Sequence, residues 1–153
     1  VCIGNSCRSQ MAEGFARTYG SDVMVAASAG LAPAGIVASL THQTMAEWNI
    51  KLEAQFPKGL DVFPSGARFD IVVNISGHPL PAAFGAAVEE WKVRDPIGEK
   101  PEVYGQVAGE LETLVMTLIL RLRAGQPKPP VAAAKERDRV RQGLGRALGR
   151  SGI

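Results

Sequence analysis

Residues 1–20 read VCIGNSCRSQMAEGFARTYG. "VCI" suits the end of a buried strand, and Gly4-Asn5 open a loop. From Ser9 to Tyr19, Met11, Phe15 and Tyr19 recur at four-residue spacing, Ala12 and Ala16 extend that face, and Gly20 offers a stop. The stretch is therefore strand, loop and helix. Residue 1 is Val and not Met, so the reading expects about one strand of chain ahead of it.

The loop has a chemistry of its own. Cys2 and Arg8 stand in a Cys-x5-Arg-Ser pattern between a strand and a helix. Backbone amides of such a loop can turn inward to form an anion nest, and the following helix adds its unpaired amides and positive end. Gly4 permits close backbone approach, and Asn5 tolerates a left-handed conformation. Arg8 supplies a planar, permanently charged fork for a tetrahedral oxyanion. The same positive field favours the thiolate of a cysteine at its centre, and the Ser9 hydroxyl can stabilise it, which makes Cys2 a candidate nucleophile. Without that chemistry, the loop would be a structural turn with inert thiols. A nucleophile of this kind also needs an acid to protonate the leaving oxygen. "VRDP" (93–96) offers Asp95, stiffened by Pro96, in a loop after the last strand; strand C-termini in parallel sheets gather on one edge, so Asp95 can face the Cys2 loop.

Outward from this loop, "DVMVAASAG" (22–30) reads as a short strand over about 23–27, and 37–49 as a second helix carrying Leu40, Met45 and Trp48 inward. "EAQFPKGLDVFPSGA" (53–67) is turn-rich with room for one short helix. "RFDIVVNIS" (68–76) is the strongest buried strand, and "AAFGAAVEEWKV" (82–93) returns through a helical piece to a strand ending near Val93. Tyr104, Val107, Leu111, Leu114, Val115, Leu118, Ile119 and Leu122 mark a long amphipathic helix stopped by Gly125. Alternating strands and helices predict an α/β fold with a parallel sheet. "GQPKPP" (125–130) is a Pro-rich linker. From residue 126 on there are seven basic and two acidic side chains, so this basic, Ala/Arg-rich tail carries +5 of the chain's net +2 and the remainder −3. The tail is expected to be a solvated helix or a contact for an acidic partner or nucleic acid. The division is thus a catalytic domain over 1–125 and a linker and tail over 126–153.

Composition narrows the function classes. The 153 residues are 46% hydrophobic and 21% charged, ordinary for a globular domain, and a net charge of +2 is too small to mark a nucleic-acid binder. No apolar run approaches the ~18 residues of a membrane span, so no membrane partner is expected. Two Cys cannot build a multi-bridge secreted scaffold, which points to a reducing, cytoplasmic setting. His42 and His78 show no ligand spacing with Cys2 and Cys7, so no metal is expected.

"CIGNSCRSQMAEGFAR" (2–17), "SAG" (28–30) and "VRDP" together resemble the low-molecular-weight protein tyrosine phosphatase superfamily, in matching order and separation over about residues 1–123. "GNSCRSQMAEG" and Trp91 resemble its arsenate reductase branch; the phosphatases more often carry Ile before the second Cys and Pro after Arg-Ser. The resemblance implies a flavodoxin-like three-layer sandwich with four parallel strands in order 2-1-3-4, strand one central and cut short before Val1. It implies Cys2 as nucleophile, Arg8 as oxyanion binder and Asp95 as general acid. The binding loop is then Ile3, Gly4, Asn5, Ser6, Cys7 and Ser9, with Ser28 shaping the site and no bound cofactor. Cys7 matches the second loop cysteine, as a packed or protective thiol. Thioredoxin-coupled reductases relay a disulfide through cysteines after the third strand. This sequence has "NISGHPLP" (74–81) there, with Ser76 near the first expected position. A three-cysteine relay is excluded, so an external thiol such as glutathione or mycothiol, from a thiol-recycling system, or Cys7, must complete the reduction. "DPIGEK" (95–100) lacks the tyrosines that stack on a phosphotyrosine ring. The expected function is arsenate reduction. A phosphatase acting on phosphoproteins through a phosphocysteine, and a non-catalytic oxyanion-binding module, are the alternatives.

Overall fold

The computed structural model describes residues 1–81 and 87–125. The elements are α1 (Arg8–Tyr19), α2 (Ser39–Glu47), a single 3-10 turn (Leu60–Val62), β1 (Ile71–Asn74), β2 (Ala87–Glu90) and α3 (Pro101–Gly125). Helices lie where the apolar spacing predicts them. The expected tail and linker lie outside the described residues, as does 82–86, on which the predicted helical piece before β2 largely falls. The compact unit comprises Val1–Arg123.

β1 and β2 pair in parallel with Ile71 opposite Ala87 and Asn74 opposite Glu90. Two further parallel contacts are single bridges, Cys2 with Gly30 and Gly30 with Gly59. The strand expected over 23–27 is not formed, and Val25 is fully exposed. A strand needs a partner in register, and among the described residues only Gly30, at the end of this stretch, is bridged, to Cys2 and to Gly59. An apolar cavity of about 820 Å³ runs between this stretch and Ile71–Val73. The last strand is also shorter than read: it ends at Glu90 and only the Trp91 amide continues the ladder, to the Asn74 carbonyl at 2.9 Å.

The core lies between the three helices and the sheet segments. Met11 and Phe15 of α1, Met45 of α2, Leu52, and Leu111 and Ile119 of α3 are almost wholly buried. Each such side chain contributes about 1.5–3 kcal/mol over leaving it exposed. Trp48 joins this cluster: its indole meets Phe15 edge-on at 5.8 Å and donates to Glu112 Oε2 at 3.0 Å, so it packs inward and does not line the mouth of the loop. By length and composition α3 is apolar enough to cross a membrane. Its Tyr104, Val107, Leu111, Val115 and Ile119 nevertheless form one stripe buried in this core. Near its end, Arg123 grips both Asp22 oxygens at 2.8 Å and the Tyr19 carbonyl at 2.8 Å. The outcome for the loop is that α1 is clamped from both sides with its N-terminus pointing into residues 2–7.

Candidate active site

The loop carbonyls bond outward. Leu31 N donates to Cys2 O at 3.0 Å, Ala32 N to Ile3 O at 2.9 Å, Ala34 N to Gly4 O at 2.8 Å and Ala38 N to Ser6 O at 3.1 Å. Thr41 Oγ1 adds a second donor to Ser6 O at 3.0 Å. Asn5 makes the turn, at φ 47°, as its residue type suggested. Gly4 does not need its missing Cβ in the way the sequence suggested: its φ is not positive, and an added Cβ would meet nothing nearer than 3.9 Å. The indispensable glycine is Gly30, where a Cβ would stand 2.6 Å from Ile3 O and 2.9 Å from Asn5 N.

Inside the turn, Asn5 N donates to Cys2 Sγ at 3.2 Å, and Ser9 Oγ lies 2.8 Å from the same sulfur. A polar chain fixes these donors. Asn5 Nδ2 donates to Ser9 Oγ at 2.8 Å and to Ser28 Oγ at 2.9 Å, and Ser28 Oγ donates to Glu13 Oε2 at 2.5 Å. Asn5 Oδ1 accepts from Lys58 N at 2.9 Å and from Gln10 Nε2 at 3.1 Å. Glu13 is buried and is balanced by Arg17 at 3.0 Å and Lys58 Nζ at 3.7 Å. Among the described residues no side chain caps α1 and no acidic residue stands in its first turn, so the helix's positive end also faces the loop.

Arg8 closes the site from the sheet side. Its Nη1 donates to Ile75 O at 2.8 Å and Val93 O at 3.1 Å, and its Nη2 to Asp95 Oδ2 at 2.7 Å. Its Nε is buried without a partner among the described residues. Asp95 is partly exposed, and its Oδ1 accepts from Ile97 N at 3.2 Å, so the Asp-Pro turn holds the carboxylate against the Arg8 guanidinium. Cys2, Arg8 and Asp95, separated by up to 93 positions in sequence, thus meet at one loop with Asn5, Ser9 and Ser28 beneath them. Ser6 faces away, donating to Ile36 O at 2.9 Å, and Ile3 stands partly exposed at the loop's rim. Cys7 also faces away: its thiol points to Tyr104 OH at 3.8 Å inside the core. Burial pushes the Cys7 thiol up, and burial together with the Cys7 contact pushes the Tyr104 hydroxyl up to about 12.

Sequence reading missed Gln10, Glu13, Gly30 and Lys58 as parts of this site. One signal was available: Glu13 follows Ser9 by one helical turn, so a loop-facing Ser9 carries Glu13 to the same side. A thiol sulfur, an arginine fork and an exposed carboxylate gathered at one loop are the groups that nucleophilic displacement at a tetrahedral oxyanion requires.

The family described as low molecular weight phosphotyrosine protein phosphatase matches residues 1–128. A glutaredoxin arsenate reductase from Synechocystis sp. is 33% identical over 130 residues, covering 80% of this chain and 95% of the relative. An arsenate reductase from Halalkalibacterium halodurans is 30% identical over 130 residues, covering 69% and 92%. Among solved structures, an arsenate reductase in the phosphate binding state superposes with a TM-score of 0.73 at 33% identity, covering 79% of this chain and 94% of that one.

Proposed function

Since the chain belongs to the low molecular weight phosphotyrosine protein phosphatase family, we propose that it is an arsenate reductase that works through Cys2. The observation that carries this is a Cys2 sulfur held by Asn5 N and Ser9 Oγ at one end of a loop whose other end is a buried Arg8, with an Nε that has no partner among the described residues. The relatives that cover most of the chain are arsenate reductases.

In this reading the loop amides and Arg8 hold arsenate. Cys2 Sγ attacks arsenic, an S–As bond forms as an As–O bond breaks, and Asp95 supplies the proton with which the oxygen leaves as water. The sequence has two cysteines, and Cys7 is turned toward Tyr104, so the reductant is an external thiol in a reducing, cytoplasmic setting. Asn5, Ser28 and Glu13 are positioning residues for Cys2 and Ser9. The sheet order 2-1-3-4 belongs to the same reading. It is supported by the Cys2–Gly30 bridge on one side of Val1–Cys2, and on the other by Val1 N to Val73 O at 2.6 Å and Ile75 N to Val1 O at 2.7 Å.

Phosphomonoester hydrolysis is the second reading, favoured by the family's own description and by a site that suits any tetrahedral oxyanion. Turnover of arsenate and of a phosphotyrosine peptide, each measured with glutathione, mycothiol and thioredoxin systems, separates the two. Arsenate-dependent thiol oxidation that Cys2→Ser abolishes in a folded protein is the expected result. Absence of arsenate turnover with every thiol donor refutes the reductase reading.

A further inference from the structure

Arsenate reduction needs two electrons, and the chain's own sulfur atoms leave one thiol short. Cys2 is consumed in the S–As bond. Cys7 is directed at Tyr104 within the core. Cys2 itself is only 3% exposed, so the second thiol has to enter a concavity to reach it.

A cavity of about 830 Å³ adjoins the site on its Arg8 side, between residues 75–79 and 90–94. The Ile75 and Val93 carbonyls that hold Arg8 Nη1 belong to residues lining it, so the guanidinium is shared between this cavity and the loop. Its volume lies in the range of small-molecule sites, about 300–1,000 Å³. Its lining carries Arg8, Lys92 and Arg94 against one carboxylate, Glu90. Arg8 is paired with Asp95 and Arg94 with Glu99, and Glu90 accepts from Asn74 Nδ2 at 3.0 Å. Lys92 has no ion pair or side-chain hydrogen bond among the described residues, and it is exposed.

We propose that this cavity is the docking site of the reducing thiol, and that the thiol is a small molecule bearing carboxylates, of the glutathione type, anchored by Lys92. The inference rests on the reductase reading for its biological use. The chemistry balances as follows. The docked thiolate attacks Cys2 Sγ, an S–S bond forms, and the S–As bond breaks with its electron pair going to arsenic, which leaves as arsenite. The arsenic is reduced by two electrons and the two sulfur atoms are oxidised by one each. A second molecule of the same thiol then cleaves the mixed disulfide and frees Cys2.

The test uses the full chain and needs no arsenate in its first arm. Oxidised glutathione, which is anionic, and cystamine, which is cationic, each exchange with Cys2, and peptide mass mapping locates the adduct and gives its rate. Glutathionylation at Cys2 is expected to be the faster. Lys92→Glu should slow it about five- to tenfold, the reversal of one partly exposed charge contact, and should not slow cystamine. Lys92→Ala, which adds no repulsion, should give a smaller loss in the same direction. In the second arm, with arsenate, Lys92→Glu should raise KM for glutathione by a similar factor and move KM for arsenate less than about twofold. Equal rates for the two disulfides that neither variant changes overturn the docking site. So does arsenate turnover driven by a protein thiol while glutathione is inert. If arsenate is not turned over with any donor but the Lys92-dependent charge preference persists, the docking site stands and the reductase reading falls.

Discussion

Gly30→Ala tests whether the loop acts as a rigid template. Gly30 has ordinary backbone freedom to lose, but its Cβ position is occupied: Ile3 O is 2.6 Å away, Asn5 N 2.9 Å and Asn5 Cβ 3.0 Å. These are backbone and Cβ atoms of the anion loop, not the flexible end of a side chain. Restoring normal contact requires the Ile3 carbonyl to retreat by about 0.8 Å, and Asn5 with it. Gly30 cannot move instead, because its own amide is held by Lys58 O at 2.8 Å and its neighbour Ala29 accepts from Cys2 N at 3.2 Å. Overpacking of this kind costs about 1–3 kcal/mol of stability. The functional loss should be larger than that implies. The displaced Asn5 amide is a donor to Cys2 Sγ, and a shift near 1 Å at a reacting centre costs on the order of 100-fold in rate. The expected outcome is a folded protein with a lower urea midpoint, arsenate kcat/KM down about 100-fold, and inorganic phosphate bound more weakly by calorimetry. If the variant turns over within about twofold of the parent and binds phosphate unchanged, the loop adjusts freely and the argument from a rigid template fails.

Two further outcomes follow from the buried groups. Glu13→Gln keeps an acceptor for the Ser28 hydroxyl but leaves the mostly buried Lys58 ammonium without its carboxylate, so it should cost about 1–3 kcal/mol in urea unfolding. Adding Lys58→Met should recover part of that loss, and a double variant no better than the single one contradicts the pairing. Cys7 and Tyr104 both have folded-state pKa values raised above their ordinary 9.0 and 10.0, Tyr104 to about 12. Their neutral forms therefore contribute stability that is fully present below those ordinary values and lost as pH rises through the folded ones. The urea midpoint should decline as pH rises above about 9. Tyr104→Phe should flatten the part of the decline between pH 10 and about 12, and an unchanged slope in that variant refutes the assignment.

The placement of Cys2, Arg8 and Asp95 in the candidate site was legible because each is tied to the backbone conformation that presents it. Cys2 and Arg8 bracket a loop whose Asn5 must turn left-handed, and the apolar spacing Met11, Phe15, Tyr19 fixes which way α1 leaves it. Asp95 was legible because Pro96 marks the turn after the last sheet segment. The shell beneath was not legible, because burial there is decided by distant chain. Gln10 and Glu13 look like the solvent face of an amphipathic helix. They are covered only because residues 28–30 and 56–58 fold across them, bringing Ser28, Phe56 O and Lys58 against that face. The strand over 23–27 failed for a related reason. Its composition suits a strand, but strand formation depends on a partner in register, and among the described residues only Gly30 at its end is bridged, to Cys2 and Gly59.

This division has a consequence for how the site is built. The Asn5 side chain is the point at which both halves meet: its backbone makes the turn, its amide bonds Ser9 and Ser28, and its oxygen accepts from Gln10 and Lys58. Ser9 and the Asn5 backbone amide, the two groups that contact Cys2 Sγ among the described residues, therefore depend on one side chain, and that side chain is held by groups drawn from α1, the 28–30 segment and the 56–58 segment. Such a network is strong only when complete, since a buried polar group left without a partner costs about 1–3 kcal/mol. The loop's chemistry and its stability are for that reason coupled through Asn5, whereas Cys7, only five residues from Cys2, turns its thiol toward Tyr104 in the core.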